Sequence, residues 1–406
     1  MNLILTDKCT NSCPYCFAAQ EMSKDLKKND MTRDNFNLFM DFIRHSKEYV
    51  EIKVIGGEPL IYHDIEYVIS RLHRSAFIKN ICVMTGGIAK KETFDMLLKY
   101  RKKMLIVFNV NEKASYLNPQ HQAIVLENIE YAISLGYHVC IGFNIFHHGF
   151  DGMEIINLCQ KFGISHLRFS VACPIYGSMH NTVVPFTEYR QLSSRVFQFL
   201  KDCFEAGIDA NLDCPVPRCF FDEQHLGLIA KMHPQIINRL GKCEPPLDVN
   251  YDLHLLRCFS IGGYQDKKLT DFHSFAEIRK FFIREIDSRL SQPTVFPTCK
   301  TCNFKNSCNG GCLSNNQGFM NNPTKPQRIQ NVLELAGKGN EKEAINRLEE
   351  ERSLEDIDNL ILAQLYYNVG NSEKALYHCR KALHESKSME LSQKAVKLLK
   401  EISTTT

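Results

Sequence analysis

Three cysteines near the start of the chain have a spacing that suits metal chemistry. The stretch DKCTNSCPYCF, residues 7–17, brings Cys9, Cys13 and Cys16 within eight residues. Iron–sulfur clusters are usually held by four thiolates. Three thiolates on one loop can wrap a four-iron cubane and leave its fourth iron without a protein ligand. An open coordination position is typical of catalytic metal sites, because a small molecule can occupy it.

A second set of cysteines lies in the later part of the chain. The stretch CKTCNFKNSCNGGC, residues 299–312, has the spacing C-x2-C-x5-C-x3-C, and Cys243 and Cys258 precede it. Such a compact group of thiolates predicts a bound metal, either an iron–sulfur cluster or zinc. The chain has 17 cysteines, and in a long chain of a reducing compartment metal ligands explain them better than disulfides do.

Elements that would position these cysteines are visible in the hydrophobic pattern. Short apolar runs predict strands at 2–6, 50–56, 78–85, 104–110, 138–146 and 166–173. Segments with helical periodicity separate them, near 33–46, 64–74, 90–101, 119–135 and 152–162. This alternation predicts an α/β fold, a partial (β/α)6 TIM-like barrel. Ligands of such barrels lie at the carboxyl ends of the strands, where the first cysteine loop begins.

The rest of the chain predicts three further segments. Residues 176–240 read as bridging helices, near 188–205 and 223–240, after a barrel at 1–175. Residues 241–320 read as a cysteine-rich domain with a helix near 275–290, opened by a capping box from Ser274 to Glu277. Residues 318–328 have the composition of a linker. Residues 329–402 are charged helices.

An internal repeat marks the charged helices. GNEKEA at 339–344 recurs as GNSEKA at 370–375, a period of 31 residues. With Ala363, Tyr366 and Ala382, the second copy resembles a tetratricopeptide repeat, in which small residues let two antiparallel helices approach closely. A plain bundle of helical hairpins is the alternative. Both alternatives predict an all-α C-terminal repeat that serves stacking or docking.

Composition excludes some classes of function. The 406 residues carry a formal net charge of +3, which offers no electrostatic basis for binding nucleic acid. No apolar run reaches the length of a membrane span, and the N-terminus MNLILTDK lacks the pattern of a signal peptide. We therefore expect a cytoplasmic protein.

The first cysteine loop resembles that of the radical S-adenosylmethionine (radical SAM) superfamily. The match is C-x-x-x-C-x-aromatic-C, and it is supported by GGEPL, residues 56–60, at the end of the second predicted strand. The resemblance implies that Cys9, Cys13 and Cys16 bind a 4Fe–4S cluster whose open iron takes S-adenosylmethionine (SAM). It also implies a set of SAM contacts, namely Tyr15, Gly56, Gly57, Glu58, Pro59 and Asn109.

The later cysteines resemble the SPASM extension of radical SAM enzymes, which binds two auxiliary 4Fe–4S clusters. The resemblance implies that Cys243, Cys258 and Cys312 hold one auxiliary cluster, while Cys299, Cys302 and Cys308 hold the other. Two departures are visible: Leu253 replaces a family glycine, and no cysteine follows Cys312 until Cys379. We therefore expect one or two auxiliary clusters. Of Cys214 and Cys219, we favour Cys219 as the fourth ligand of the first.

The resemblance implies an oxidoreductase that cleaves SAM reductively and abstracts a hydrogen atom from a substrate. Such enzymes often modify ribosomally made peptides, by crosslinking, epimerisation or oxidation. Phe259 replaces an aspartate of the sulfatase-maturing branch, which counts against that activity. We expect a peptide or protein partner, docked by the helical tail, and a reductant such as flavodoxin or ferredoxin. A SPASM-type dehydrogenase or epimerase of a small molecule, and a non-catalytic iron–sulfur scaffold, are the alternatives.

Overall fold

A computed structural model of the chain describes residues 1–18, 29–116, 118–175, 182–184, 188–261, 267–290, 299, 301–304, 307–316, 332–333, 335–336, 339–349, 356–385 and 389–405. The chain divides into two compact units, Met1–Met320 and Asn321–Thr406. The linker predicted at 318–328 lies outside the described residues.

The first unit is built on one nine-stranded sheet. Its strands are β1 Asn2–Ile4, β2 Val50–Ile55, β3 Ile78–Thr85, β4 Met104–Asn109, β5 His138–Ile145, β6 His166–Val171, β7 Asp209–Leu212, β8 Asp248–Val249 and β9 Leu255–Leu256. They follow the order β7-β6-β5-β4-β3-β2-β1-β8-β9, and all neighbours are parallel except β8 and β9. The two ends of the sheet do not pair. The fold is therefore the predicted unclosed α/β barrel, extended by the three short strands β7, β8 and β9.

Helices connect successive parallel strands on the outside of this sheet. They are α1 Arg33–Ser46, α2 Ile65–Arg74, α3 Lys91–Leu97, α4 Pro119–Ser134, α5 Gly152–Phe162 and α6 Tyr189–Glu205. Some of them begin at a side-chain cap: Thr32 caps α1 by accepting the Asn35 N–H, and Asp151 caps α5 in the same way. In α1 the residues Phe36, Phe39 and Ile43 are buried, which is the spacing of one helix face.

The two faces of the strands serve different purposes. Outward side chains such as Phe108, Ile141 and Phe169 are almost fully buried beneath the helices, in the main core. Burying an aromatic or aliphatic side chain of this size contributes roughly 1.5–3 kcal/mol. On the opposite face, Cys82 and Cys140 pack with Val107 in a smaller apolar cluster. The inner face is therefore apolar inside the barrel, whereas polar residues line the opening at the carboxyl ends of the strands.

Beyond the barrel, one predicted helix is two. The segment 223–240 forms α7 Glu223–Met232 and α8 Pro234–Arg239, because a residue that precedes proline disfavours helical torsion angles. The predicted helix near 275–290 starts as α9 Phe275–Phe282, continues as a π-helical turn, Ile283–Asp287, and ends as α10 Ser288–Leu290. The short helix α11, Leu313–Asn316, follows the last cysteine.

The second unit is a set of helices: α12 Glu341–Glu349, α13 Asp356–Asn368, α14 Ser372–Glu385 and α15 Met389–Thr405. Ala363, Ala375 and Ala382 are buried in its core, where small side chains allow close helix contact. Gly339 and Gly370 share a φ of 79°. Each donates to the carbonyl three residues back, and the following residue donates five residues back, which is a Schellman turn. The repeat read from the sequence therefore has a repeated geometry. No described helix of either unit is both long and apolar enough to cross a membrane.

Candidate functional site

The loop that carries Cys9, Cys13 and Cys16 leaves β1 at the carboxyl-end mouth of the barrel. It is fastened to the turn after β2 by backbone hydrogen bonds, from Gly57 N–H to Thr6 O (2.9 Å) and from Glu58 N–H to Lys8 O (2.8 Å). A Cβ atom added at Gly57 would lie 2.0 Å from the Lys8 carbonyl oxygen. The glycine therefore lets the two loops meet. The resemblance also implies a SAM contact at Gly57, which stays a prediction.

Glu58 is fully buried and holds the ends of two strands together. Its carboxylate accepts hydrogen bonds from the Thr85 hydroxyl (2.6 Å) and from the backbone N–H groups of Gly86 (2.8 Å) and Leu60 (3.1 Å). These three donors favour the ionised carboxylate. Burial outweighs them and raises the pKa of Glu58 to about 7. Pro59 is buried beside it and begins the short 3-10 turn Pro59–Ile61.

The three thiols of the loop have the donor chemistry of an iron–sulfur site. Each is half-buried and free of disulfides. Burial raises the pKa of Cys9 to about 12 and of Cys16 to about 11, and a bound metal would reverse this by its own charge. Among the described residues, no three His, Cys, Asp or Glu side chains converge on a single ion. Thiolates of a cubane bind separate irons. Three free thiols on one loop have the donor chemistry that an iron–sulfur cluster needs.

Tyr15 anchors the same loop to the barrel. Its ring lies 5.3 Å from that of Phe146, which follows β5, and its hydroxyl donates to the Asn111 carboxamide oxygen. The Asn111 amide in turn contacts the Cys13 sulfur at 3.7 Å. Sequence reasoning did not single out Asn111. Its position two residues after β4, at the same mouth, is the signal that could have found it.

Asn109 ends β4 with an acceptor that nothing in the described structure satisfies. Its Oδ1 atom is buried and has no hydrogen-bond partner there. The register pairs Asn109 with Gly142 and Gly142 with Arg168. A Cβ atom at Gly142 would lie 2.6 Å from the Asn109 oxygen, so the glycine keeps this acceptor open. Arg168 is engaged by Asp213 in an ion pair. The open acceptor fits a polar ligand inside the barrel mouth.

Five cysteines from distant parts of the first unit lie close together, and we name them the inner thiol group. They are Cys173, Cys214, Cys243, Cys258 and Cys312. Hydrogen bonds from Cys173 and Cys243 lower the pKa of Cys312, and those to Cys214 and Cys312 raise the pKa of Cys173. Burial, with Cys312 and Cys214 nearby, raises the pKa of Cys258.

A buried positive charge accompanies the inner thiol group. The side chain of Arg257 is fully buried, donates to the Cys243 sulfur at 3.2 Å and forms an ion pair with Asp287 at 2.9 Å. A permanently charged guanidinium in this position favours thiolates over thiols. The group therefore suits an anionic metal–thiolate centre.

Four other cysteines line one cavity of about 580 Å³, and we name them the outer thiol group. They are Cys219, Cys299, Cys302 and Cys308. Partial desolvation by the surrounding loops, with Cys308 and Cys299 nearby, raises the pKa of Cys219, although part of this residue is exposed. The compact quartet of the sequence is thus divided, with three members here and Cys312 in the inner group. Our sequence interpretation instead grouped Cys219 with Cys243, Cys258 and Cys312.

Cys173 is the inner-group member whose partners the sequence did not reveal. It is buried and follows β6, so it reads as a core residue, whereas its contacts are with thiols. Its place just after a strand, at the mouth of the barrel, is the only signal that the sequence offers. Cys82, Cys140, Cys159 and Cys203 are buried core residues as expected.

The part of the chain that forms the barrel and its cysteine loop is similar to a known family. Residues 3–162 match the family model of the Radical SAM superfamily. Curated relatives include the GTP 3',8-cyclase of Staphylococcus aureus, 28% identical over 181 residues that cover 41% of this chain. The alignment spans about half, 52%, of the length of that relative.

Solved structures with the same fold extend further along the chain. One is Streptococcus suis SuiB bound to S-adenosylmethionine, with a TM-score of 0.53, 16% identity and coverage of 77% of this chain and 73% of that chain. Another is anSMEcpe with bound AdoMet, with a TM-score of 0.57, 15% identity and coverage of 85% of this chain and 99% of that chain. These similarities show that the chain has the same fold as these two proteins.

Proposed function

We propose that this protein is a radical SAM enzyme that modifies a side chain of a ribosomally made peptide or protein. When bound, the cluster and SAM together supply a 5′-deoxyadenosyl radical that removes a hydrogen atom from the substrate. The observation that carries the proposal is the fastening of the three-cysteine loop to the GGEP turn at the barrel mouth. This arrangement sets three thiols and one edge of the sheet around the same opening.

Each residue at the mouth has a role in this proposal. Cys9, Cys13 and Cys16 hold the cluster, and Tyr15 fixes their loop against the ends of β4 and β5. Asn109 offers its unpaired oxygen to a donor group of SAM. Gly56, Gly57, Glu58 and Pro59 form the edge beside the cofactor, with the Glu58 carboxylate keeping β2 and β3 in register.

A peptide substrate is supported by the extent of the structural similarity. The anSMEcpe fold covers 85% of this chain, and another structure of that protein holds AdoMet together with the Cp18Cys peptide. A small-molecule substrate is the second candidate, and the name of the GTP 3',8-cyclase relative favours it. That similarity covers only 41% of the chain.

The test replaces the loop cysteines singly by alanine and measures 5′-deoxyadenosine formed from SAM under an anaerobic reductant. We expect Cys9→Ala, Cys13→Ala and Cys16→Ala to abolish it. The matched control is Cys203→Ala, which removes a buried helix thiol far from the mouth in sequence. Deoxyadenosine formation that persists in the loop variants contradicts the proposal.

The substrate class needs a separate measurement. Mass spectrometry of a candidate peptide, incubated with the reconstituted protein in deuterated buffer, distinguishes a loss of two hydrogens from deuterium uptake at one carbon. The first result indicates crosslinking or oxidation, and the second indicates epimerisation. A protein that modifies GTP or another small molecule, and no peptide, supports the second candidate.

A further inference from the structure

The outer thiol group surrounds a space of the right character for a metal cluster. Cys219, Cys299, Cys302 and Cys308 line one cavity of about 580 Å³, far larger than the roughly 30 Å³ that one water molecule occupies. No cysteine between Cys312 and Cys379 is available to complete a set with the last three. Cys219 also lines this cavity, although it precedes Cys299 by 80 residues in the sequence.

Contacts between glycine and backbone bring these distant cysteines together. A Cβ atom at Gly241 would lie 2.9 Å from the Cys308 sulfur and 2.9 Å from Arg218 Cγ. At Gly311 it would lie 2.6 Å from the Pro217 nitrogen. Both glycines have positive φ, +81° and +85°, which side-chain-bearing residues rarely adopt. The loop before Cys219 is therefore packed directly on the loop after Cys308.

The cavity also carries a positive charge with an unused donor. Arg218 lines it, its Nε–H is buried, and this donor has no hydrogen-bond partner among the described residues. The guanidinium of Arg218 stacks over the Phe304 ring, 4.7 Å from its centroid, which holds it in place. A second arginine, Arg190, lines the same cavity. A cluster held by four thiolates is anionic, and its sulfurs accept hydrogen bonds.

We propose that Cys219 is the fourth thiolate of an iron–sulfur cluster whose other ligands are Cys299, Cys302 and Cys308, with Arg218 donating to a cluster sulfur. The proposal depends on the proposed function in one respect, namely that the metal group is an iron–sulfur cluster. The grouping of the four thiols does not depend on it. Four thiolates leave no vacant iron, so this cluster transfers electrons and does not bind substrate. Cys219 is exposed, which puts one corner of the cluster near the protein surface.

The first test counts iron in anaerobically reconstituted full-length protein. We expect about twelve irons per chain in the wild type, since each cubane holds four, and about eight to eleven in Cys219→Ala, because at least the iron that loses its thiolate is released. The matched control Cys379→Ala removes a buried thiol of the second unit and should leave the count unchanged. An unchanged count in Cys219→Ala overturns the proposal, as does one zinc per wild-type chain that this substitution removes.

A second test needs no variant and so does not depend on the folding of one. An exposed, unligated thiol reacts with iodoacetamide, whereas a ligand of an intact cluster is protected. Peptide mass spectrometry should show Cys219 protected at least tenfold in the loaded protein and alkylated after iron chelation. Equal alkylation in both states overturns the assignment. A Cys9→Ala protein that loses no iron would refute the proposed function instead. The alkylation of Cys219 in the loaded and the iron-free protein would still test the assignment of the fourth ligand.

Discussion

Asn109 is the residue whose role the geometry defines most narrowly. Its Oδ1 atom is buried and has no hydrogen-bond partner among the described residues, a state that costs about 1–3 kcal/mol unless a ligand donor reaches it. We expect Asn109→Ala to weaken SAM binding by about 3- to 10-fold, the value of one hydrogen bond, measured by equilibrium dialysis. Gly142→Ala should weaken it as well, because the new methyl group covers the same oxygen. Unchanged affinity in both variants would refute the contact.

Glu58 makes stability depend on pH in the cofactor-free protein. Its folded pKa of about 7 lies above the usual 4.5, so the native state binds the proton more tightly than the unfolded state. This contribution to stability is complete below pH 4.5 and is lost as the pH rises through 7, by about 3 kcal/mol in all. Urea unfolding at pH 5 and pH 8 should therefore show a smaller loss in Glu58→Gln than in the wild type. Equal losses would exclude Glu58 as the source.

Gly57 determines how two elements of the barrel mouth meet, because the turn after β2 contacts the cysteine loop at this residue. The 2.0 Å approach of an added Cβ to the Lys8 carbonyl must displace the cysteine loop. We expect Gly57→Ala to lose about four irons per chain and deoxyadenosine formation, while circular dichroism shows that the barrel remains folded.

The control for that substitution is Gly227→Ala within α7. An added Cβ there meets nothing within 4 Å, and alanine in a helix is favoured over glycine by roughly 0.5–1 kcal/mol. This variant should retain iron and unfold at slightly higher urea. If Gly57→Ala kept its iron as well, the fastening of the loop by close backbone approach would be wrong.

The barrel could be predicted from the sequence because each of its first six strands is a buried run with its own helix. β7, β8 and β9 could not, since β8 and β9 have only two residues each and β7 has four. Such short strands show no periodicity, and their pairing depends on the edges that the barrel presents.

The resemblance already implied that Cys312 is separated from Cys299, Cys302 and Cys308, but the places of Cys214 and Cys219 could not be predicted. Cys214 and Cys219 are separated by five positions and join different thiol groups. The sequence interpretation favours Cys219 for the inner group because it lies nearer the quartet, whereas in the structure Cys219 belongs to the outer group. The division follows from the close packing of Gly241 and Gly311 on other loops, which is a tertiary contact without a local signature.

At the scale of the whole molecule, the two units have separate hydrophobic cores. Ala375 is fully buried in the second, and Ala375→Leu should overpack it at a cost of about 1–3 kcal/mol. We expect calorimetry to show a lower melting temperature for one transition only, by roughly 4–8 °C per kcal/mol. Val396→Leu, at an exposed position, is the control.

Iron content should be unaffected in Ala375→Leu, because every proposed ligand belongs to the first unit. Loss of peptide modification with normal deoxyadenosine formation would support docking by the helical unit. A shift of both transitions, or loss of iron, would contradict the independence of the two cores.

The loops shared between the inner and outer thiol groups also limit how far apart the two centres can lie. Cys308 and Cys312 are four residues apart, which caps their Cα separation at about 14 Å even in a fully extended chain. Gaps of that length are crossed by tunnelling, without a mobile carrier. With the proposed clusters bound, the inner and outer thiol groups would together form a path for electron transfer from Cys173 at the barrel mouth to the solvent beside Cys219.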